Sequence, residues 1–279
     1  MTITEVIETI KAFYQGDPAI TEETTRDQVL YGETDGDCTG VVTCIWPSVQ
    51  VLEEAHALGA NLIICHEALF WNHGDHQDWL QENGIQAYEG KKALLDQYGL
   101  TVWRCHDYVH SGMPIETGEY KDGIFYGLAK QLGWEGYDIS NHPMPTLFEI
   151  PEVSGRELAS HLIHKLGLDG VRVIGDPETR VRRVKIPFHV FGDANADIIQ
   201  IDQEDFDAIL PMEMVDFTIA EYIKDASLLG QNKVAISAGH FNLEEPGMAY
   251  MADYLPAVLG HQVPVHFVKV GDTYGYITK

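Results

Sequence analysis

Basic residues are scarce. The 279-residue chain carries 18 Lys and Arg against 43 Asp and Glu, a formal charge of −25 with histidine neutral. The few cations form no stripe, and Arg182-Arg183 is the densest pair. A surface of this sign repels polyanions, so neither nucleic acid nor an anionic membrane is an expected partner. What remains open is a local basic pocket for a single phosphate. Cysteine is sparse as well, at four residues. Cys38, Cys44, Cys65 and Cys105 show no CxxC spacing, and two of them sit inside strand-like runs. Free thiols are therefore expected, and a four-thiolate zinc or an iron–sulfur cluster is not. No apolar stretch approaches the roughly 20 residues that span a bilayer. Met1–Ile10 carries Glu5 and Glu8 where a secretory leader needs a basic start and an apolar run, so a cytoplasmic location is expected.

What is present points to an α/β protein. Hydrophobic residues make up 45% of the chain and glycine is frequent at 26, which suits a substantial core with many tight turns. Thr2 and Glu5 form a capping box ahead of Ile3, Val6, Ile7 and Ile10 at helical spacing, and Gly16-Asp17-Pro18 should stop that helix. The Thr-, Asp- and Gly-rich stretch that follows reads as a loop with solvated acids. Gly40–Ile45 and Asn61–Cys65 are buried, β-branched strands. Between them lies a helix capped by Ser48, with Val49, Leu52, Ala55 and Leu58 as its apolar stripe. Strand, helix, strand in this order is the unit of a parallel sheet. A helix near Lys91–Tyr98 and a strand Leu100–Cys105 continue the rhythm, followed by a helix from Asp122 to Leu132.

The region Trp134–Pro145, rich in Gly, Asn, His and Pro, is the best boundary. Beyond it, Ser154 and Glu157 give a second capping box, and strands are expected at Val171–Ile174, Val181–Ile186 and Ala208–Leu210. A strand-to-turn passage is expected through Gly192, and helices at Phe217–Leu229 and Met248–Leu259. The closing strand is Val263–Val270.

The chemistry gathers where strands end. Cys65-His66-Glu67 and Cys105-His106-Asp107 both follow strands, at the edge where parallel sheets place their sites. Lys233–Ala238 is a third strand-like run, and after Gly239 come His240 and Glu244. If a helix starts there, an imidazole and a carboxylate four residues apart share one face, a common way to hold a divalent metal. Ligands from three strand ends can hold two divalent ions about 3.5–4 Å apart, and Zn, Fe and Mn all suit N/O donors of this kind.

Four stretches in order, GANLIICHEALFW (Gly59–Trp71), RCHDYVHSG (Arg104–Gly112), LAKQLG (Leu128–Gly133) and AGHFNLE (Ala238–Glu244), resemble the Nif-three-like dinuclear metal-centre proteins. Some members of that family carry the label of a type 2 GTP cyclohydrolase I. The resemblance implies two interlinked α/β domains with largely parallel sheets, residues 1–133 completed by 232–279 forming the first and 134–231 the second. It also implies a homohexamer and two divalent ions per chain, with His66, Glu67, His110, His240 and Glu244 as ligands. Two positions depart from the family pattern: Glu67 stands where a second histidine is usual, and His110 where an aspartate is usual. Together they keep three imidazoles and two carboxylates.

His106 matches a site-lining histidine and is expected to act as general acid/base. Glu213 matches the family's acidic TGE-like position only roughly. His73 and His76 are open between substrate contact and plain exposure. The implied function is a metal-dependent hydrolase acting through metal-activated water on a small substrate, such as a nucleotide or a cyclic amide or amidine. A non-catalytic metal carrier or regulator is the alternative. One ion, or none, is the simpler outcome if the two departures break the centre.

Overall fold

The computed structural model describes residues 1–14, 20–189 and 194–277. The stop expected at Gly16-Asp17-Pro18 and the turn expected through Gly192 lie outside the described residues. The chain folds as two compact units, Met1–Gly127 with Gly247–Val270, and Leu128–Pro246 with Gly271–Lys279. It is an α/β protein with sheets that are mostly parallel. Among the described residues no helix is long and apolar enough to cross a membrane. All four cysteines are free thiols.

The first unit is built on a five-stranded sheet in the order Val29–Tyr31, Thr101–Arg104, Leu62–Cys65, Val41–Cys44, Val265–Phe267. Only the Val29–Tyr31 edge is antiparallel. Every residue of the three inner strands is buried, because helices and loops cover both faces and no polar face remains. That is why these strands read as continuous apolar runs rather than alternating ones.

The opening helix Ile3–Phe13 has the expected reciprocal cap between Thr2 and Glu5. Ser48 accepts the Val51 N–H at the start of Val49–Ala57, whose Val51, Leu52 and Ala55 point inward. Gly99 ends the helix Gln86–Tyr98 at φ 61°, a left-handed turn that an L side chain resists. Leu52, Ile63 and Leu95 are fully buried, each contributing roughly 1.5–3 kcal/mol.

The second unit carries another five-stranded sheet, ordered Leu147–Ser154, Arg180–His189, Ala208–Glu213, Val234–Ser237, Arg172–Gly175. Its two inner pairings are parallel and its two outer ones antiparallel. The Ser154–Glu157 box opens the helix Gly155–Leu166 as the spacing predicts. The helix expected over Phe217–Leu229 is regular only from Glu221 to Leu228. Before it runs a π turn, with Thr218 at φ −134° and ψ −108°, outside helical geometry.

The last helix begins at His240, not near Met248, and runs unbroken to Val258. Pro246 does not stop it. That proline lies in the second turn and forfeits one bond to the Asn242 carbonyl.

Candidate metal centre

In the first unit the strands Leu62–Cys65 and Thr101–Arg104 run parallel, with Cys65 opposite Arg104. The residues that leave the sheet next, His66 and Glu67 from one strand and Cys105 and His106 from the other, must then emerge side by side. A short helix, Asp107–Ser111, follows at once. The backbone N–H groups of His106, Asp107 and Tyr108 all donate to the Asp27 carboxylate, at 2.7, 2.8 and 2.8 Å. Asp27, only 3% exposed, therefore anchors the start of this helix. One helical turn brings His110 back to the same side as His106.

Three imidazoles meet as a result. The His66 and His106 rings stack at 4.4 Å between centroids, and His110 stands edge-on to both at 4.9 Å. One ligand atom from each lies within 4.8 Å of the other two. Each ring is tied at Nδ1. His66 Nδ1 lies 3.2 Å from the Cys105 carbonyl, His106 Nδ1 3.0 Å from Asp107, and His110 Nδ1 2.7 Å from Asp122. An acceptor at Nδ1 places the ring proton there and the lone pair on Nε2, the arrangement found in metal-bound histidines. Asp122 is fully buried and also accepts the Ile124 and Phe125 N–H groups, so it is fixed from two directions.

Electrostatics favour neutral rings at His66 and His106. Burial pushes His66 well below its ordinary value, with the neighbouring imidazoles adding to the effect. Burial likewise takes His106 down to about 4, outweighing the opposing pull of Asp107. A neutral imidazole is the form that coordinates a cation.

Glu67 follows His66 and is nearly buried, with its carboxylate 3.8 Å from the Arg104 guanidinium. Arg104 is itself buried and donates to the carbonyls of His66, at 3.1 Å, and His73, at 2.6 Å. His73 lies close to the cluster, 5.8 Å from the His106 ring, and bonds Arg26. His76 is exposed in the adjoining loop.

In the second unit, the strand Val234–Ser237 turns at Gly239 into the helix that starts with His240. The expected face-sharing of positions 240 and 244 is present: His240 Nε2 lies 3.0 Å from the Glu244 carboxylate. Its Nδ1 bonds Glu213, at the end of the strand Ala208–Glu213. Burial lowers the pKa of His240, but the two carboxylates outweigh it and raise the imidazole to about 10. The imidazole thus stands between two carboxylates, donors of the kind that divalent ions take. The donor set fits a divalent ion there.

Sequence reasoning did not find Asp27, Asp122 or Arg104. Asp122 carried one usable signal, its position as a cap before Gly123–Leu132. Nothing in the sequence ties it to His110. Asp27 lies in the loop whose acids were expected to be solvated.

Residues 1–93 and 118–273 match the profile of Duf34/NIF3 (NGG1p interacting factor 3). The chain belongs to this family. The matched NIF3 residues include His66, Glu67, His240 and Glu244, whereas His106 and His110 fall in the gap between the two matched segments. Among curated relatives, the "GTP cyclohydrolase 1 type 2 homolog" of Staphylococcus aureus strain Mu50 is 25% identical over 193 residues, covering 67% of this chain and 48% of the relative. The same name belongs to a protein of S. aureus strain MRSA252, 24% identical over 202 residues, covering 71% and 49%. The chain thus spans about half the length of these NIF3 relatives. Among solved structures, the S. aureus hypothetical protein SA1388 superposes with a TM-score of 0.72 at 17% identity, and the Bacillus cereus protein related to NIF3 with 0.70 at 16%. Each comparison covers 99% of both chains, so the NIF3 fold extends over the whole of this one.

Proposed function

We propose that this NIF3 chain binds divalent metal and hydrolyses a small substrate. The observation that carries the reading is the cluster of His66, His106 and His110, each tied at Nδ1 so that Nε2 presents its lone pair. In this reading His66, Glu67 and His110 from the first unit are joined by His240 and Glu244 from the second as ligands of two ions.

When bound, divalent ions supply Lewis acidity and lower the pKa of water toward neutrality. The protein's own part is to orient and to move protons. Asp122 and the Cys105 carbonyl fix two rings. His106, hydrogen-bonded to Asp107, relays a proton between substrate and solvent. The names of the curated relatives make GTP a substrate to try first. We extend the reading to a homohexamer in the cytoplasm, a compartment that suits the four free thiols.

The pairing of Glu67 with Arg104 favours a second reading, in which a guanidinium balances this carboxylate and a single ion binds. Elemental analysis of gently purified protein, followed by a hydrolase panel that includes GTP with metal added back, tests both. Two ions per chain with turnover supports the first reading and one ion the second. Stoichiometric, readily exchanged metal without turnover indicates a carrier. Metal-free protein that takes up none overturns all three.

A further inference from the structure

The chain holds seven arginines, and six of them have a carboxylate within 4 Å. Arg26 pairs with Asp107, Arg104 with Glu67, Arg156 with Glu178, Arg180 with Glu152, and Arg182 and Arg183 with Glu149. The exception among the described residues is Arg172. It begins the edge strand Arg172–Gly175, opposite Ser237 in the ladder, and its Nη2 reaches only the Ser237 hydroxyl, at 3.4 Å. In a chain of charge −25, a guanidinium with no carboxylate within 4 Å among the described residues stands apart from the other six, although Glu213 shares its cavity.

Arg172 lines a cavity of about 380 Å³ in the second unit. Tyr274, Tyr276, His240 and Glu213 line it as well. The segment bearing the tyrosines is tied down: the Gly271 N–H donates to Glu245 at 3.2 Å, and Asp272 accepts from the Tyr274 N–H at 3.0 Å and from Asn242 at 3.2 Å. Gly170 makes room for the Tyr276 ring, since a Cβ there would stand 3.2 Å from it. A guanidinium fork matches the two oxygens of a phosphate or carboxylate. A phenol ring beside it offers a face for stacking.

We propose that this cavity is the substrate's recognition pocket and takes a planar ring bearing an oxyanion. The oxyanion sits on Arg172 and Ser237, the ring lies against Tyr274 and Tyr276, and the rest of the molecule extends toward His240. This rests on the hydrolase reading for its purpose but not for the binding itself, which needs no metal. It also supplies the local positive charge that an anionic substrate requires on so acidic a protein.

The test is calorimetric titration of full-length protein, chelated and metal-loaded, with phenyl phosphate, benzoate and uncharged phenol. Wild type should bind at least one of the two anions at least tenfold more tightly than phenol, and phosphate against carboxylate is decided by which binds better. Arg172→Gln should weaken anion binding by tenfold or more in the chelated protein, and Arg172→Lys should recover part of it. Tyr274→Ala should weaken the aromatic anions while leaving inorganic phosphate, titrated as a control, unchanged. Equal affinity of wild type and Arg172→Gln for both anions, or phenol binding as well as they do, overturns the proposal. Metal content measured on the same preparations separates the two readings. Anion binding without metal sinks the hydrolase alone, and metal without Arg172-dependent binding sinks the pocket alone.

Discussion

Lys91 lies on the helix Gln86–Tyr98 and is only 2% exposed. Its ammonium donates to the Leu69 carbonyl at 2.6 Å and sits 5.4, 5.6 and 5.7 Å from the ring centres of Trp46, Phe70 and Trp71. Cation–π contact and one hydrogen bond replace only part of the lost hydration. Burial consequently lowers its pKa from 10.5 to about 8.

The sign follows from which state binds the proton. Below pH 8 lysine is charged in both states and the folded protein carries the whole burial cost. Between pH 8 and 10.5 the folded state releases the proton while the unfolded state keeps it, so stability rises with pH in that window. A depression of about 2.5 pKa units corresponds to a gain of at most about 3 kcal/mol. Lys91→Met keeps the length of the side chain and removes the charge. Urea unfolding of wild type and Lys91→Met at pH 7, 8, 9 and 10 isolates the effect, because all other titrations are common to both. Wild type should gain on the variant by about 2–3 kcal/mol across the series. Parallel pH profiles would refute the argument.

Other perturbations follow from the same contacts. Gly247→Ala would place a Cβ 2.4 Å from Ile124 Cα and 2.8 Å from its carbonyl oxygen. Backbone must move, at a cost of at least about 2 kcal/mol, and thermal unfolding should show a midpoint roughly 5 °C lower. Asp122→Asn keeps an oxygen for the Ile124 and Phe125 N–H groups but faces His110 Nδ1 with an amide, which drives the ring proton to Nε2. Metal affinity should fall about 10- to 100-fold with stability changed by less than about 1 kcal/mol. Unaltered affinity in a competition titration would remove Asp122 from the site. His240→Ala and Glu67→Ala should each lower the metal bound per chain, and either variant that retains the full complement strikes that residue from the ligand set.

The parts legible in the sequence were those governed by local spacing. The boxes at Thr2–Glu5 and Ser154–Glu157 and the Ser48 cap lie within four residues of what they bond. The strand-helix-strand passage through residue 65 is a run of apolar periodicity. Positions 240 and 244 could be placed on one face because a glycine and a strand preceded them. What escaped was set by distance in the chain. Asp27 reaches residues about 80 positions away, and Glu213 meets His240 across 27. No periodicity encodes such pairings. The helix expected from Met248 begins eight residues earlier, at His240, with Pro246 inside it. His161 is half-buried, with a ring nitrogen 3.0 Å from the Leu132 carbonyl and its ring stacked on Trp134.

The strand Val265–Phe267 pairs with Val41–Cys44, and the Thr43 hydroxyl donates to the carbonyl of Met248. During synthesis these partners leave the ribosome more than 200 residues after the strand that needs them. Until then the nascent amino-terminal half presents an unpaired strand edge, apolar in three of its four residues, inviting the wrong neighbour. Truncated transcripts of this gene should accordingly yield aggregates rather than a smaller soluble domain.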